Sequence, residues 1–385
     1  MKRVLIFSLA YYPHIGGAEI ALKEITNRIP DINFHMITLR MNGEALEEEV
    51  GNIIVHRVGN GVSYLQKILF IPRAARLAVR LNRENSFDMF WAMMSYMLFP
   101  VVLLRFCGVR IPYILTLQEG DPWEYMFNRW FILPFRHLLT IGFKNASAIH
   151  PISTYLAAWA HRMGYHGDVS VIPNGVEVSR FVCVQHQVSH TAVIKLVTTS
   201  RLVHKNAVDD VIRALVFLPD TIHFSIYGSG PEEEALKKLA THLNIADRVQ
   251  FNGHVDHTEL PRVLADSDIF IRPSRSEGMG NSFIEAMATG LPVVATQEGG
   301  ITDFLFDAKR NPGELTTGWA VDRDSPKQIA EAVKEILENP EQVALVTANA
   351  KKLVAEKYEW NTIASSMRKL FNKVLVQQNA TQYFT

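Results

Sequence analysis

Residues 272–292 read Arg272-Pro-Ser-Arg-Ser-Glu277-Gly278-Met279-Gly280-Asn281-Ser282-Phe-Ile-Glu285-Ala-Met-Ala-Thr-Gly290-Leu-Pro292. They follow an apolar run typical of a buried strand, and their second half has a helical pattern that Gly290 and Pro292 end. The glycines before the helix lack Cβ atoms, so backbone amides there can approach a ligand closely. A helix beginning near Ser282 directs N–H groups and a positive dipole end to the same place. The segment therefore predicts an anion site suited to a diphosphate.

Two acids flank this predicted helix start. Glu277 precedes the helix and Glu285 lies inside it, so the two can reach opposite ends of one ligand. Each acid also has a structural interpretation, because Ser282-x-x-Glu285 fits a capping box and a loop acid such as Glu277 is usually solvated. The combination of both acids with the glycines and the helix start favours a binding site.

Short apolar runs alternate with helical patterns on both sides of this segment. The predicted strands are Val4–Ser8, Phe34–Leu39, Ile53–Val58, Phe87–Met93, Tyr113–Leu117 and Ala148–Ile152, then Lys195–Thr199, His223–Tyr227, Val249–Phe251, Ile269–Ile271 and Val293–Ala295. Such series predict parallel sheets covered by helices. We predict an α/β fold of two Rossmann-like domains, residues 1–178 and 193–359, joined by a linker at 181–192. A helix at about 360–380 returns to the first domain, and ligands are expected in a cleft between the facing domains.

The composition is that of an ordinary globular protein. Of 385 residues, 48% are hydrophobic and 20% charged, and the formal net charge of zero gives no indication of nucleic-acid binding. Residues 1–180 carry 18 basic and 14 acidic side chains, against 21 and 25 in the remainder. The asymmetry fits a first half that meets an anion, and chance variation explains it equally well.

The cysteines and apolar segments bear on location. Cys107 and Cys183 have no metal-type spacing, which predicts a reduced, cytoplasmic protein. The basic start and short apolar run at the N-terminus lack a cleavage site, so we interpret them as a strand. The apolar stretch Met89–Leu104 is interrupted by Pro100 and is shorter than a membrane span of about 20 residues. A buried strand followed by a helix accounts for it.

Residues 277–285 resemble the Glu-x7-Glu signature of family 4 of the retaining glycosyltransferases, which have the GT-B fold. The resemblance implies that Glu277 lies by the donor sugar and that Glu285 holds the ribose hydroxyls. It also implies backbone contacts to the sugar and the β-phosphate from Gly278, Met279, Gly280, Asn281 and Ser282. Four further segments fit the family in the expected order, so the resemblance covers nearly the whole chain.

The first of these is Tyr12-Pro13-His14-Ile15-Gly16-Gly17-Ala18-Glu19, which resembles the family's Gly-Gly loop. The resemblance implies that the amide of Gly17 approaches the donor diphosphate, and His14 is a candidate on the acceptor side. The loop is not the Gly-x-Gly-x-x-Gly fingerprint of dinucleotide binding, which disfavours a dehydrogenase.

The segment Ser200–Asp209 resembles a family segment in which an Arg and, five positions later, a Lys neutralise the diphosphate. Arg201 fits, but the lysine position is Asn206 and the glycine that usually follows is Ala207. Lys205, one residue early, is a candidate substitute. The alternative is a single cation at Arg201.

Two more segments complete the resemblance: Tyr227–Pro231 followed by Phe251–Val255, counted together, and Thr116–Asp121. Gly228-Ser-Gly-Pro and Asn252-Gly-His-Val255 are similar to the turn and loop whose backbone holds the nucleotide base, so Val255 is a donor-side candidate. Many family members carry a histidine at the position of Gln118. Gln118, Glu119 or Asp121 therefore remain alternatives for orienting an acceptor hydroxyl.

No metal or cofactor is expected. Asp266-Ser267-Asp268 has the Asp-x-Asp form of metal-dependent transferases with another fold, yet it precedes a predicted strand and matches the family's usual strand start. A helix end and cations are available for the diphosphate, and the histidines form no convincing ligand set. The nucleotide sugar itself would be a substrate.

A basic stripe gives a hypothesis about the acceptor. Residues 50–83 contain six basic side chains and no acid, and Arg73, Arg76, Arg80 and Arg83 recur at helical spacing. Aromatic residues lie near basic ones in Asn128–His137. Such patterns are typical of a helix on an anionic membrane surface and equally of a solvated helix face. The hypothesis is a peripheral enzyme at the inner face of the membrane with a lipid-linked acceptor.

The sequence thus predicts a metal-independent, retaining glycosyltransferase that moves a hexose from GDP-mannose or a UDP-sugar to a glycan or lipid-linked acceptor. Glu277, Arg201 and Lys205 are the candidate catalytic residues. Two alternatives stay open: a nucleotide-sugar epimerase of the same architecture, and a non-catalytic nucleotide-sugar binder.

Overall fold

The computed structural model describes residues 1–14, 16–181 and 193–382, and within them the chain forms two compact units. The first comprises Met1–Asn174 and Trp360–Thr385, the second Gly175–Glu359. The first boundary lies a few residues before the predicted position because the Val176 N–H donates to the Tyr358 carbonyl at 2.7 Å. Apart from Phe181, the predicted linker lies outside the described residues.

The first unit is built on a seven-stranded sheet in the order β3-β4-β2-β1-β5-β6-β7. Its strands are β1 Lys2–Phe7, β2 Ile32–Leu39, β3 Glu47–Val50, β4 Ile53–Val58, β5 Met89–Met93, β6 Tyr113–Leu117 and β7 Ala148–Pro151. Its helices are α1 Gly17–Asn27, α2 Tyr64–Asn85, α3 Leu98–Phe106, α4 Trp123–Phe127, α5 Arg136–Lys144 and α6 Thr154–Arg162. All neighbouring strands pair in parallel except β3, which is antiparallel to β4. β3 was not predicted, because its acidic side chains suit only an edge strand.

The second unit carries a six-stranded parallel sheet in the order β10-β9-β8-β11-β12-β13. Its strands are β8 Ile194–Thr199, β9 Ile222–Tyr227, β10 Val249–Phe251, β11 Ile269–Arg272, β12 Val293–Thr296 and β13 Trp319–Val321. Its helices are α7 Val208–Ala214, α8 Glu233–His242, α9 Leu260–Ala265, α10 Asn281–Thr289, α11 Pro326–Glu338 and α12 Pro340–Lys357. This strand order is that of a Rossmann fold. The short strand β13 was not predicted.

The last helix, α13 at Trp360–Gln382, returns to the first unit. The buried ring of Phe371 lies 5.0 Å from the Trp91 ring of β5 and 6.1 Å from the Phe34 ring of β2. Trp360, Met367 and Leu370 lie in the same core cluster. The apolar face of α13 therefore completes the core on one face of the first sheet.

Candidate donor site and its loops

The loop after β11 leads directly into α10, whose first residue is Asn281. Gly280 stands at the N-cap with φ 88°, a left-handed conformation that favours glycine. Ser282 lies inside the helix, and the N-cap residue is Gly280, which makes no side-chain cap hydrogen bond. The capping-box interpretation of Ser282 and Glu285 is therefore wrong.

Arg272, the last residue of β11, organises this loop. Its guanidinium donates to Glu277 Oε2 at 2.7 Å and to Ser282 Oγ at 2.8 Å, and it lies 4.2 Å from the centre of the Phe283 ring. Burial lowers the pKa of Arg272, and the negative charges of Glu277 and Glu285 act in the opposite direction. Sequence reasoning missed this residue. Its signal was an arginine that closes an apolar strand five positions before an acid.

The Glu277 carboxylate is largely enclosed. Its second oxygen, Oε1, accepts the Gly278 N–H at 3.0 Å. Its carbonyl accepts the Gly300 N–H at 3.0 Å, so the chain after β12 lies against the Glu277 backbone. Gly299 and Gly300 were also missed, although a glycine pair after a predicted strand was a visible signal. Contacts from the end of β11, from its own loop and from the loop after β12 thus fix the orientation of Glu277.

Glu285 lies one turn into α10 and is buried. Its Oε1 lies 3.2 Å from His257 Nε2, and the His257 carbonyl accepts from Arg180 at 3.3 Å. His257 had no sequence signal, because it is an isolated histidine 28 residues away. The contact joins the loop after β10 to α10.

The loop after β8 carries Arg201 at an exposed position. Gly228 lets this loop come close, because a Cβ at Gly228 would lie 1.8 Å from the Ser200 carbonyl. The Leu202 N–H donates to the Ser229 carbonyl at 3.0 Å. The loops that follow β8 and β9 therefore meet beyond the carboxyl ends of their strands, as ligand-binding loops of such sheets do.

Asn206 and Ala207, the two departures from the family pattern, are both buried. Asn206 Nδ2 donates to the Arg201 carbonyl at 2.7 Å, so this side chain supports the backbone that carries Arg201. Ala207 has φ 52°, the conformation that the usual family glycine would adopt without strain. Lys205 is half-buried, and its carbonyl accepts the Arg275 N–H at 2.7 Å.

Arg275 joins the Arg201 loop to the Glu277 loop. Its guanidinium contacts Asp209 at 2.9 Å, Asp210 at 3.0 Å and Asp324 at 2.6 Å. Burial and the neighbouring Asp209 raise the pKa of Asp210 to about 6. Sequence reasoning missed this cluster, because its acids lie 49 to 66 residues from Arg275.

The sequence also singled out Val255 and Asp266-Ser267-Asp268 in the second unit. Val255 is half-buried in the loop after β10. Asp268 accepts the Lys195 N–H at 2.8 Å at the amino end of β11, away from the carboxyl edge that carries Glu277. Asp266-Ser267-Asp268 is therefore a strand start, and the described residues contain no group of three or more His, Cys, Asp or Glu side chains able to hold a metal ion.

The remaining candidates lie in the first unit. Gly17 is the exposed first residue of α1, and His14 Nε2 lies 3.1 Å from Glu44 Oε1. Glu119 follows β6 and is buried, and burial raises its pKa. Its oxygens accept the N–H groups of Ser95 at 2.6 Å and Gln118 at 2.9 Å, so it ties the ends of β5 and β6 together.

Gln118 differs from Glu119 in that its side-chain oxygen, Oε1, is buried and has no hydrogen-bond partner in the described parts of the chain. Met94, which precedes Ser95, has φ 68° and ψ 156°, a conformation rare for any residue but glycine. Strain and unpaired polar atoms at a strand's carboxyl end are typical of a binding site.

Comparisons with known proteins agree with this architecture. The protein-family model described as Glycosyltransferase Family 4 matches residues 15–180 of the sequence. The family model described as Glycosyl transferases group 1 matches residues 186–353. Together they span most of the chain. The chain belongs to the family-4 glycosyltransferases, and the predicted family and enzyme class are confirmed.

Relatives match over almost the whole chain. A GDP-mannose-dependent α-(1-6)-phosphatidylinositol monomannoside mannosyltransferase of Mycobacterium tuberculosis is 26% identical, over 95% of this chain and 97% of its own length. An uncharacterised glycosyltransferase of Methanocaldococcus jannaschii is 23% identical, over 97% of this chain and 99% of its own.

Solved structures confirm the predicted GT-B fold class. The sucrose-phosphate synthase of Thermosynechococcus elongatus superimposes with a TM-score of 0.83 over 98% of this chain and 100% of its own, at 18% identity. HepE of Anabaena, solved in complex with UDP and glucose, gives a TM-score of 0.77 over 97% of this chain and 100% of its own, at 17% identity. Among the helices of the described residues, none is long and apolar enough to cross a membrane.

Proposed function

We propose that this chain is a metal-independent, retaining glycosyltransferase that moves a hexose from a nucleotide-diphosphate sugar to an acceptor. The observation that carries the proposal is the arrangement around Arg272, which holds Glu277 and Ser282 on either side of the α10 start. The printed names of relatives support the donor class. One is GDP-mannose-dependent and another was solved with UDP and glucose.

Each donor-side group has a role set by its chemistry. Glu285 accepts hydrogen bonds from the ribose hydroxyls, and Glu277 lies by the transferred sugar. The backbone from Gly278 through Met279, Gly280 and Asn281 to Ser282 contacts the sugar and β-phosphate, while Val255 and Gly17 stay donor-side candidates. Arg201, Lys205 and the α10 N-terminus stabilise the negative charge that develops on the leaving diphosphate.

Retention follows if the leaving diphosphate takes the acceptor proton on the same face of the sugar. No separate strong base is then required. Of the acceptor-side candidates, Gln118 has an unpaired oxygen, whereas Glu119 and His14 are engaged with Ser95 and Glu44. We therefore propose that Gln118 orients the acceptor hydroxyl and that Glu119 supports the loop that carries Gln118.

The acceptor is proposed to be lipid-linked, as the name of the mycobacterial relative states for that enzyme. The predicted contact through Arg73, Arg76 and Arg80 is modified by the structure. Arg76 and Arg80 are exposed on α2, whereas Arg73 is half-buried and donates to Gln66 at 2.6 Å. Arg73 therefore supports the helix, and the proposed cationic face consists of Arg76, Arg80 and Arg83.

Thermal unfolding with GDP, UDP, ADP and NAD tests the donor assignment. A ligand at 100 times its dissociation constant stabilises the folded state by about 2.7 kcal/mol. We expect GDP or UDP to raise the midpoint, and Glu285→Ala to weaken that rise. Glu331→Ala, an exposed acid on α11, is the matched control. No shift with either nucleotide, or a shift with NAD alone, contradicts the proposal.

The protein is next incubated with a nucleotide sugar whose nucleotide stabilises it. This assay distinguishes a transferase from an epimerase and from a non-catalytic binder. A transferase releases nucleoside diphosphate faster when an acceptor is added. An epimerase changes the sugar with no acceptor present, and a binder leaves the donor intact. NMR of the sugar protons distinguishes these three outcomes.

A further inference from the structure

An apolar surface of the first unit, which we name the aromatic patch, lies beside the acceptor edge. It consists of exposed side chains from the start of α2 and from residues 125–135, namely Val62, Tyr64, Leu65, Ile68, Tyr125, Trp130, Leu133 and Phe135. Trp130 is 83% exposed, Leu65 61% and Tyr64 59%. Large exposed side chains are ordinary when scattered, but a contiguous set of them marks an interaction surface.

Contacts through Phe131 join the two segments into one surface. The Phe131 ring lies 5.8 Å from the Tyr64 ring and 5.7 Å from the Trp130 ring. The Arg129 guanidinium lies 3.2 Å from the centre of the Tyr125 ring. Tyr64 and Ile68 are one helical turn apart, so both face the same side of α2.

The aromatic patch lies at the carboxyl edge of the first sheet. In a parallel sheet a helix that follows a strand begins at that edge, as α2 does after β4 and α3 after β5. Phe135 immediately precedes α5, which runs back to the start of β7, so it lies at the same edge. Ligands of α/β sheets bind beyond this edge.

A chain of aromatic contacts connects the aromatic patch to Glu119. The Ser95 N–H donates to Glu119, and the ring of the next residue, Tyr96, stacks 6.2 Å from that of Phe99. Phe99 in turn lies 6.4 Å from the exposed ring of Phe135. A molecule that reaches Gln118 and Glu119 is therefore within a few side chains of the aromatic patch.

The two stretches of sequence that carry the aromatic patch have basic side chains and no acidic ones. Residues 50–83 and residues 125–167 contain no Asp or Glu. They supply ten Lys and Arg side chains. Lys67 is exposed near the start of α2, and Arg76, Arg80 and Arg83 are exposed farther along the helix, where the exposed Glu84 follows them. Glu124, the nearest acid before the second stretch, is 3.7 Å from Arg162. Exposed aromatic rings beside cations fit the headgroup region of a bilayer with anionic lipids.

We infer that the aromatic patch inserts into the surface of an anionic lipid bilayer. Lys67 lies next to the patch on α2 and contacts the headgroups, and Arg76, Arg80 and Arg83, farther along the helix, add long-range attraction to the anionic surface. Docking there brings the acceptor edge of the sheet to the membrane, where a lipid-linked acceptor presents its polar headgroup. The inference rests on the proposed function only for the nature of the acceptor. Lipid binding itself is a separate property of the first unit.

Co-sedimentation with vesicles tests the inference on the full chain. The vesicles are phosphatidylcholine with and without phosphatidylglycerol, and the variant is Leu65→Ser/Trp130→Ser/Phe135→Ser. We expect the wild type to bind the anionic vesicles and the variant to bind at least about ten-fold less, because the inserted apolar area is lost. Val216→Ser/Leu315→Ser/Leu345→Ser, which removes exposed apolar side chains of the second unit, should bind like the wild type.

A second variant separates charge from insertion. Arg76→Gln/Arg80→Gln/Arg83→Gln should weaken binding to anionic vesicles and make the remainder less sensitive to salt. The nucleotide-induced rise in the unfolding midpoint should be the same in all three variants. Two of them change only the first unit, and the third changes exposed residues of the second unit that do not belong to the candidate donor site. If the wild type shows no such rise, the proposed donor function is contradicted. The vesicle assay still tests the membrane inference, because it does not depend on nucleotide binding.

Three outcomes overturn the inference, the first two of which are read from the vesicle assay. The first is a wild type that does not bind anionic vesicles, and the second is a patch variant that binds them as well as the wild type. The third is light scattering that shows a wild-type oligomer which the patch variant converts to monomer, with vesicle binding unchanged. In that case the aromatic patch is a contact between copies of this chain.

Discussion

Arg272 is the residue that unites the candidate donor site. A buried guanidinium is stable only when its charge and its N–H groups are matched, and here Glu277, Ser282 and the Phe283 ring provide that match. Arg272 therefore acts as a positioning residue. It holds Glu277 in one orientation before any ligand arrives, which lowers the cost of binding.

Replacing Arg272 with Met should destabilise the second unit by about 3 kcal/mol, since it leaves the largely enclosed Glu277 carboxylate without its cation. It should also weaken the nucleotide-induced rise in the unfolding midpoint. Urea unfolding measures the first effect. Arg262→Met, at a guanidinium whose side chain is 76% exposed, is the control and should stay within about 0.5 kcal/mol of the wild type. Equal stability of Arg272→Met and the wild type would contradict the assigned role.

At the scale of elements, the loops after β8, β9, β11 and β12 are held together by contacts between loops. Arg275 spans α7 and the Glu277 loop, and the Gly300 N–H reaches the Glu277 carbonyl. These contacts fix the backbone around the start of α10. The site therefore depends on the whole set of loops. Substitutions in α7 should change how the loop that carries Glu277 is held.

Asp210 gives this arrangement a pH dependence. Its pKa of about 6 in the folded state exceeds its unfolded value of about 3.9, so the folded state binds the proton more tightly. The contribution of Asp210 to the free energy of unfolding is therefore present at low pH. It is lost as the pH rises from about 4 to about 6. Asp210→Asn, which mimics the protonated side chain, lacks this loss.

Urea unfolding at two pH values checks the prediction. The stability of Asp210→Asn relative to the wild type should be greater at pH 7 than at pH 4.5 by on the order of 2 kcal/mol. Asp220→Asn, at a side chain that is 99% exposed, is the control and should show a much smaller change. A pH-independent difference for Asp210→Asn would mean that the folded pKa of Asp210 is ordinary.

At the scale of the whole molecule, the chain leaves its first unit, forms the second and returns through α13. The first sheet therefore depends on a helix more than 200 residues away in sequence from the strands it covers. Phe371 is the clearest case, because its buried ring packs on Trp91 and Phe34. Stability of the first unit is thus encoded at both ends of the chain.

Phe371→Ala should destabilise the first unit by about 3–5 kcal/mol, the usual cost of emptying a buried phenylalanine site. Tryptophan fluorescence reports this unit, because five of the six tryptophans lie in it. Val376→Ala, at a side chain of the same helix that is 65% exposed, is the control. A Phe371→Ala protein with the control's midpoint would show that α13 does not complete the first core.

Much of the fold follows from the sequence alone. Continuous apolar runs between helical patterns predicted the strands that form the centres of both sheets, because a strand buried on both faces must be apolar throughout. The glycines at 278 and 280 and the apolar helix after them predicted the loop and α10. The family signature depends on the same local residues, so it too was visible.

Only the tertiary structure decided which distant residues meet. The edge strands β3 and β13 form because a neighbour offers unpaired N–H and C=O groups, and their own sequences carry little signal. The pairing of Glu285 with His257, the Arg275 cluster and the joining of Tyr64 to Phe131 each link residues far apart in the chain. Periodicity reports only which face of an element is buried. The partner of a buried charge or an exposed ring is set by how the elements pack.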